Sequence, residues 1–156
     1  QKNKNSDQKA VYIDGTFDLF HPGHASLLKK CKDNGWFVIV GVFSSDSSRN
    51  LKDKFPIQSM KERILTISAC KYVDKIIADV PIKPNIKFIR QNQIDMIVTG
   101  IDDQFISNYD EISSLVEVRA FESDFPKITT SSIIQKIINN YINYSDRNNK
   151  RITRGC

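Results

Sequence analysis

The stretch AVYIDGTFDLFHPGHASLLKKC, residues 10–31, joins a short apolar run, a glycine-containing loop and a helical pattern. The run AVYIDG predicts a strand that ends at Gly15, and Pro22 suits the first turn of the helix that follows. A loop between a strand and a helix is where a phosphate meets free backbone N–H groups and the positive helix end. This unit therefore predicts an α/β fold with a phosphate-binding position at the start of its first helix.

The rest of the chain continues the alternation of strands and helices. Further strands are predicted at residues 36–43, 72–80, 94–100 and 114–121, and helices at residues 22–35, 59–70, 85–93 and 130–149. This order predicts a Rossmann-like open parallel five-stranded sheet with helices on both faces, whose ligands bind beyond the carboxyl ends of the strands. The domain is expected at residues 10–151, with a flexible segment at 1–9 and a tail at 152–156.

Two helix starts carry capping residues. Ser59 is expected to cap the helix at 59–70, and Thr130 or Ser131 the last helix. The side of the helix at 59–70 that faces the core is predicted to carry four apolar residues, Met60, Ile64, Leu65 and Ile67.

Composition limits the function. The 156 residues, 40% hydrophobic and 26% charged, fit one globular domain, and no apolar run approaches the roughly 20 residues of a membrane helix. Cys31, Cys70 and Cys156 lack metal-ligand spacing and are expected to be idle thiols in a reducing, cytoplasmic compartment. The net charge of +5 suits phosphorylated ligands, whereas the basic residues form no stripe with aromatic residues. We therefore expect no nucleic-acid partner and at most peripheral membrane contact.

His21 and His24 are the chain's only histidines, and they flank a Pro-Gly pair at the predicted entrance of the first helix. Neither a Walker sequence nor Gly-x-Gly-x-x-Gly is present, which excludes the usual phosphate loops. Imidazoles can donate hydrogen bonds to phosphoryl oxygens, and Gly23 is expected to remove a side chain where a phosphate comes close. The spacing alone leaves open a phosphate site or a pair of surface histidines.

The stretch GTFDLFHPGH resembles the HxGH signature of the cytidylyltransferases, a family of nucleotidyltransferases. The resemblance continues through VIVGVFSSD, MKER, CKYVDKII, IDMIVTGIDD, ITTSSIIQKI and YINYSDRNNKR, in the family's order and over about residues 10–151. In this family the phosphate of a phosphoalcohol attacks the α-phosphorus of CTP, and pyrophosphate leaves without a covalent enzyme intermediate. The resemblance implies that the protein positions two polyanions and neutralises the charge that develops on them.

The resemblance also implies roles for single residues. His21 and His24 are expected to bind phosphate oxygens, with His24 nearest the α-phosphate, and the backbone at Thr16 and Phe17 to line the phosphate and ribose site. A lysine before the MKER helix is expected to bridge the phosphates of the two substrates. Lys52 is preferred, Lys54 is the alternative, and two solvated loop lysines would explain the same sequence.

The resemblance also implies contacts with the nucleotide at the end of the fourth predicted strand and at the start of the last predicted helix. TGIDD is expected to bind cytosine through Gly100, Asp102 and Asp103, with Asp102 accepting from the exocyclic amine. The start of the last helix offers a further anion site or plain helix capping at Thr129, Thr130 and Ser131. Mg²⁺ is expected to arrive with CTP, whose phosphates supply most of its ligands, and no dedicated metal site is predicted.

The sequence departs from the family before the last helix. Where the cytidylyltransferases carry Arg-Thr-x-Gly, this chain reads SDFPK, so Asp124 falls near the arginine and Lys127 at the glycine. An aspartate beside a triphosphate would repel it, so an Asp124→Arg variant is expected to bind CTP more tightly. This form, FPI before the MKER helix and AC before the third strand resemble the second repeat of ethanolamine-phosphate cytidylyltransferases, which packs against a first repeat. The chain starts with Gln and is therefore expected to be a piece of a longer protein. A working enzyme domain and a non-catalytic CTP-binding repeat both remain open.

The phosphoalcohol is expected to be phosphoethanolamine. Choline enzymes of the family carry a tryptophan where this chain has Ile82, so one wall of a cage for a quaternary ammonium is missing. A primary ammonium needs hydrogen-bond acceptors, and Asp79 or a carbonyl near Pro81 could serve. Tyr109 or Phe105 could instead complete a choline cage, so phosphocholine remains the alternative.

Overall fold

The computed structural model describes residues 3–101 and 106–153, with side chains up to residue 150. In this part of the chain one parallel sheet has the order β3-β2-β1-β4-β5, with strands β1 (Ala10–Gly15), β2 (Phe37–Val42), β3 (Lys75–Ala78), β4 (Met96–Gly100) and β5 (Glu117–Phe121). The helices are α1 (Pro22–Asp33), α2 (Ser45–Lys52), α3 (Met60–Ser68), α4 (Ile86–Gln91), α5 (Thr130–Asn139) and α6 (Tyr141–Thr153), with a short 3₁₀ helix at Ile106–Tyr109. The predicted open parallel sheet is confirmed.

Each face of the sheet is covered by its own apolar cluster. Val11 and Val38 belong to one cluster, which includes Leu28 of α1 and Ile67 of α3. The alternate strand residues Tyr12 and Ile39 belong to the other, which includes Ile89 of α4. The inner strands β1, β2 and β4 are covered on both faces and nearly every position in them is buried, which is why their sequences were recognisable as continuous apolar runs, whereas the edge strands β3 and β5 are more exposed.

The strand order reverses between β1 and β4. The chain leaves β1 at Gly15 and leaves β4 at Gly100, and both strands end at the same edge of the parallel sheet. Their following loops turn away to opposite sides, which opens a crevice at this edge. Within the described ranges, no helix has the length and apolarity needed to cross a bilayer.

Three local predictions need correction. Residues 45–52 form a helix that was not predicted, and Leu65 is 72% exposed instead of facing the core. The predicted last helix is two helices that meet at Asn140, where the side-chain Nδ2 donates to the carbonyl of Lys136 at 2.9 Å and competes with continued helical bonding. Its first cap is Thr129, not Thr130 or Ser131, whereas the predicted Ser59 cap is confirmed and forms a full capping box.

Candidate active site

A cleft of about 440 Å³ opens at the edge where the strand order reverses. Its walls are the loop after β1, the start of α1, the end of α2 with the following loop, the end of β4, and the segment that joins β5 to α5. Asp102 and Asp103 lie outside the described residues. All other predicted site residues line this cleft: Thr16, Phe17, His21, His24, Lys52, Gly100, Thr129, Thr130 and Ser131.

The two histidines form a stacked pair at the entrance of α1. Their ring centroids are 3.8 Å apart with an angle of 22° between the planes, and Phe17 and Phe20 pack against His24. His21 is the N-cap residue, yet its side chain makes no capping hydrogen bond. The Nδ1 atoms of both rings are buried and have no hydrogen-bond partner among the described residues. Such atoms are rare in folded proteins and favour a site that a ligand completes.

Burial keeps both imidazoles neutral. The pKa of His24 is lowered to about 3, mainly by burial and, in addition, by the nearby His21 and Lys52. The pKa of His21 is also lowered, by burial first and by Lys52 second. A neutral imidazole offers one N–H donor and one acceptor. At neutral pH the pair can therefore donate to a phosphate without itself carrying charge.

We expect the low pKa of His24 to appear as a pH dependence of stability. Below its ordinary pKa of 6.5 the unfolded chain takes up a proton that the folded chain binds only near pH 3. Folding stability therefore falls as the pH is lowered through this window. A His24→Gln variant should lose less stability than the wild type between about pH 7 and about pH 4.5, by about 2–3 kcal/mol. Urea unfolding at both pH values measures this difference, and equal losses in the two proteins would contradict it.

The loop after β1 has a strained backbone that a carboxylate holds in place. Phe17 and Leu19 have positive φ angles of 52° and 47°, a region that non-glycine residues seldom occupy. Both oxygens of the buried Asp18 accept backbone N–H groups, from Ile57 and Gln58, each at 2.9 Å. Asp18 thus joins the histidine loop to the loop that follows α2, although sequence analysis had not singled it out.

A buried arginine connects the same loops. Arg63 of α3 is fully buried, and its Nη1 donates to the carbonyls of Thr16 and Phe43 at 2.6 and 3.0 Å. Its Nε donates to the carbonyl of Gln58 at 3.2 Å. Burial lowers the pKa of Arg63, and the negative charge of Asp18 opposes that shift. Arg63 therefore holds three segments that surround the cleft.

The two candidate lysines serve different parts of the cleft. Lys52 ends α2 and lies near enough to the histidine pair to lower both pKa values, while Lys54 Nζ lies 3.4 Å from Ser131 Oγ at the start of α5. At the same helix start the hydroxyl of Thr129 caps the helix, and Thr130 Oγ1 donates to the carbonyl of Asp18 at 2.9 Å. Helix capping therefore accounts for the Thr129 hydroxyl.

Two sequence-based expectations about this region are wrong. Asp124 does not face the cleft, because it binds Ser26 and Lys30 of α1. Gly23 lines the cleft, and a Cβ there would lie 2.8 Å from the carbonyl oxygen of Ile128, so the glycine also makes room for protein backbone. Asp79 and the residues around Pro81 do not line the cleft, whereas Asp14 does and accepts a hydrogen bond from Tyr109 Oη at 2.5 Å.

Sequence analysis missed Asp14, although its place at the carboxyl end of β1, where ligands bind in such sheets, was a signal for a site residue.

The residues with described side chains contain no group of three or more histidine, cysteine, aspartate or glutamate residues that could hold a metal ion.

The parallel sheet, its cleft at the strand-order reversal and the histidine-bearing helix entrance define the nucleotidyltransferase class of α/β proteins. Residues 12–147 match the family described as Cytidylyltransferase-like, and the chain belongs to this family.

Named relatives agree with this assignment. The chain is 36% identical over 143 residues to the "Probable ethanolamine-phosphate cytidylyltransferase" of Encephalitozoon cuniculi (strain GB-M1), covering 92% of this chain and 44% of that protein. It is 32% identical over 151 residues to "Choline-phosphate cytidylyltransferase A" of Rattus norvegicus, covering 90% and 40%. The chain thus spans less than half the length of these relatives.

A solved structure supports the fold. The crystal structure of the lipopolysaccharide core biosynthesis protein from Thermoplasma volcanium GSS1 aligns with a TM-score of 0.63 and 30% sequence identity. The alignment covers 74% of this chain and 98% of that one.

Proposed function

We propose that this domain transfers CMP from CTP to phosphoethanolamine, giving CDP-ethanolamine and pyrophosphate, a reaction of phospholipid biosynthesis. The observation that carries the proposal is the histidine pair in the cleft, whose buried Nδ1 atoms have no hydrogen-bond partner among the described residues. The "Probable ethanolamine-phosphate cytidylyltransferase" relative supports the choice of substrate. The reaction needs no protein nucleophile, and this site offers donors and cations for a polyanion.

Each side chain then has a role in neutralising phosphate charge. His21 and His24 donate to phosphate oxygens, with His24 nearest the α-phosphate. Lys52 joins them from the end of α2, and its effect on both histidine pKa values supports this nearness. The backbone of Thr16 and Phe17 lines the phosphate and ribose position. Further anion contacts come from the start of α5, at Thr129, Thr130 and Ser131, and from Lys54, which lies beside Ser131.

The end of β4 binds the base in this proposal. Gly100 lies at the cleft, and the residues that follow it, Asp102 and Asp103, supply acceptors for the exocyclic amine of cytosine. Mg²⁺ accompanies CTP and is held mainly by phosphate oxygens. The ion neutralises triphosphate charge when bound.

Asp14 is our candidate for binding the ammonium group of phosphoethanolamine. Among the described residues the carboxylates that line the cleft are Asp14 and Asp18, and Asp18 uses both oxygens to hold the loop after α2. Asp14 lies at the end of β1, where it accepts a hydrogen bond from Tyr109 Oη. A carboxylate oxygen accepts more than one hydrogen bond, so Asp14 can accept from Tyr109 and from a primary ammonium. A quaternary ammonium has no N–H to donate, which favours phosphoethanolamine over phosphocholine.

A non-catalytic CTP-binding repeat of the same enzyme is the second candidate. It is favoured by Asp124, which replaces an arginine of the family pattern and points away from the cleft. In either case we propose that the domain works in the cytoplasm and pairs with a second cytidylyltransferase domain, either in the same chain or in a homodimer.

Competition between phosphoethanolamine and phosphocholine tests the proposal. With CTP and equal amounts of the two phosphoalcohols, CDP-ethanolamine should form at least about tenfold faster, which corresponds to about 1.4 kcal/mol. CTP should also bind more tightly than ATP or GTP in calorimetry. Equal affinity for the three nucleotides would contradict the cytidylyltransferase proposal, whereas a preference for phosphocholine would contradict only the choice of alcohol.

An Asp14→Asn variant tests the role of this carboxylate, because the substitution removes the negative charge and keeps the shape of the side chain. It should reduce the preference for phosphoethanolamine and leave CTP affinity within about twofold. CTP binding without turnover would favour the non-catalytic repeat.

A further inference from the structure

Asp124 fastens the segment between β5 and α5, residues 122–128, to helix α1. Its Oδ2 accepts from Ser26 Oγ at 2.9 Å, and its backbone N–H donates back to the same hydroxyl at 3.0 Å. Its Oδ1 lies 2.7 Å from Lys30 Nζ, which also donates to the carbonyl of Glu122 at 2.6 Å. Ser26 is buried, so the hydroxyl is held in one place by its surroundings. The hydrogen bonds from Lys30 and Ser26 lower the pKa of Asp124, which therefore stays charged at neutral pH.

The other end of the 122–128 segment touches the entrance of α1. The carbonyl oxygen of Ile128 would be 2.8 Å from a Cβ on Gly23, so the two backbones are in close contact. Just beyond, Thr130 Oγ1 donates to the carbonyl of Asp18 in the loop after β1. The segment thus runs along α1 from Lys30 to Gly23 and brings the start of α5 beside the histidine loop.

The segment is a wall of the cleft, but its fastening residue is not. Phe125, Pro126 and Ile128 line the cleft, as do the first residues of α5, whereas Asp124 points to α1. A change at Asp124 therefore reaches a bound nucleotide mainly by moving this wall. Its direct electrostatic effect on a triphosphate would be repulsion, which has the opposite sign.

We propose that Asp124 is a positioning residue for CTP, which fixes the 122–128 segment on Ser26 and Lys30 and thereby places the start of α5 against the phosphate site. The inference rests on the proposed function and deepens it. It explains how the chain tolerates an aspartate where the family pattern has an arginine. The negative charge is turned to α1 and stabilises the wall of the site.

The sign of the effect on CTP affinity tests this role. Asp124→Ala should weaken CTP binding by at least about threefold in calorimetry, even though it removes a negative charge. Asp124→Asn keeps an acceptor for Ser26 and should lose less. Asp33→Ala is the control. It removes an exposed ion pair between Asp33 and Lys29 of α1 and should bind CTP as the wild type does. Hydrogen exchange of residues 122–130 should be faster in Asp124→Ala and unchanged in Asp33→Ala.

The possible results separate positioning of the wall from general destabilisation and from direct charge repulsion. A variant that merely unfolds more easily lowers the fraction of chain that binds, but leaves the dissociation constant of the folded fraction unchanged. Unchanged or tighter CTP binding in Asp124→Ala would overturn the positioning role and, if tighter, would support direct repulsion. A wild-type chain that fails to bind CTP would contradict the proposed function and, with it, this inference. Faster hydrogen exchange at residues 122–130 together with weaker CTP binding in Asp124→Ala would support both the proposed function and the positioning role of Asp124.

Discussion

Alanine in place of His24 is expected to lower the rate of CMP transfer about 10²- to 10³-fold, the range found when a donor to developing charge is removed. The ring is partly buried, stacks on His21 and is neutral because burial lowers its pKa to about 3. A neutral N–H donor fixed in this way needs no reorganisation when negative charge grows on the α-phosphate. The rate is measured as pyrophosphate release with saturating CTP and phosphoethanolamine.

Two further variants separate donation from packing. His24→Asn keeps an N–H donor and should retain more activity than His24→Ala. Lys29→Ala changes an exposed residue of the same helix and should be as active as the wild type. A His24→Ala rate within about threefold of the wild type would mean that the histidine pair does not touch the reacting phosphate.

Methionine in place of Arg63 is expected to reduce the free energy of unfolding by about 3–5 kcal/mol. The change leaves the buried carbonyls of Thr16 and Phe43 without their charged donor and also releases the carbonyl of Gln58. Methionine is apolar and flexible enough to fill much of the space, so lost hydrogen bonding dominates over a cavity. Urea unfolding followed by circular dichroism gives the difference.

The control for Arg63 lies on the same helix. Lys61→Met alters an exposed side chain of α3 and should change stability by less than about 0.5 kcal/mol. Arg63→Lys keeps the charge but cannot reach three carbonyls, so its stability should fall between wild type and Arg63→Met. A loss below about 1 kcal/mol in Arg63→Met would show that the carbonyls find other donors.

The sheet could be predicted because its signal is local. A strand covered on both faces is a continuous apolar run, and each run is followed by a helical pattern or a glycine. Helix α2 lacks such a signal, since its sequence SDSSRNLK is polar and Ser48 is its only buried residue among those described. Its Ser44 cap was the available clue, and a cap alone also fits a turn. Asn140 was equally ambiguous, because asparagine occurs both within helices and at their ends.

The site could be predicted only where a motif carries the chemistry. The family resemblance selected His21, His24 and Lys52, and the structure brings them to one cleft. The supports of the site depend on contacts between distant segments, and the sequence does not reveal these. An arginine in MKER looks like any exposed helical arginine until the carbonyls of three loops surround it. Asp124 was misplaced for the same reason, since its partner Ser26 lies 98 positions away.

The close contact at Gly23 means that the HxGH signature is not a portable unit. The glycine between the histidines is required by the carbonyl of Ile128, a residue that is distant in the sequence although it lies beside Gly23 in the fold. A designer who grafts these four residues onto another helix would therefore copy the glycine without the backbone that makes it necessary. Conversely, a relative whose β5–α5 connection takes another path would lose the tightest of these contacts and keep only that with the His21 ring, 3.0 Å from the same Cβ position. Such a relative should tolerate alanine there more readily, so variation at the two places should be linked during evolution.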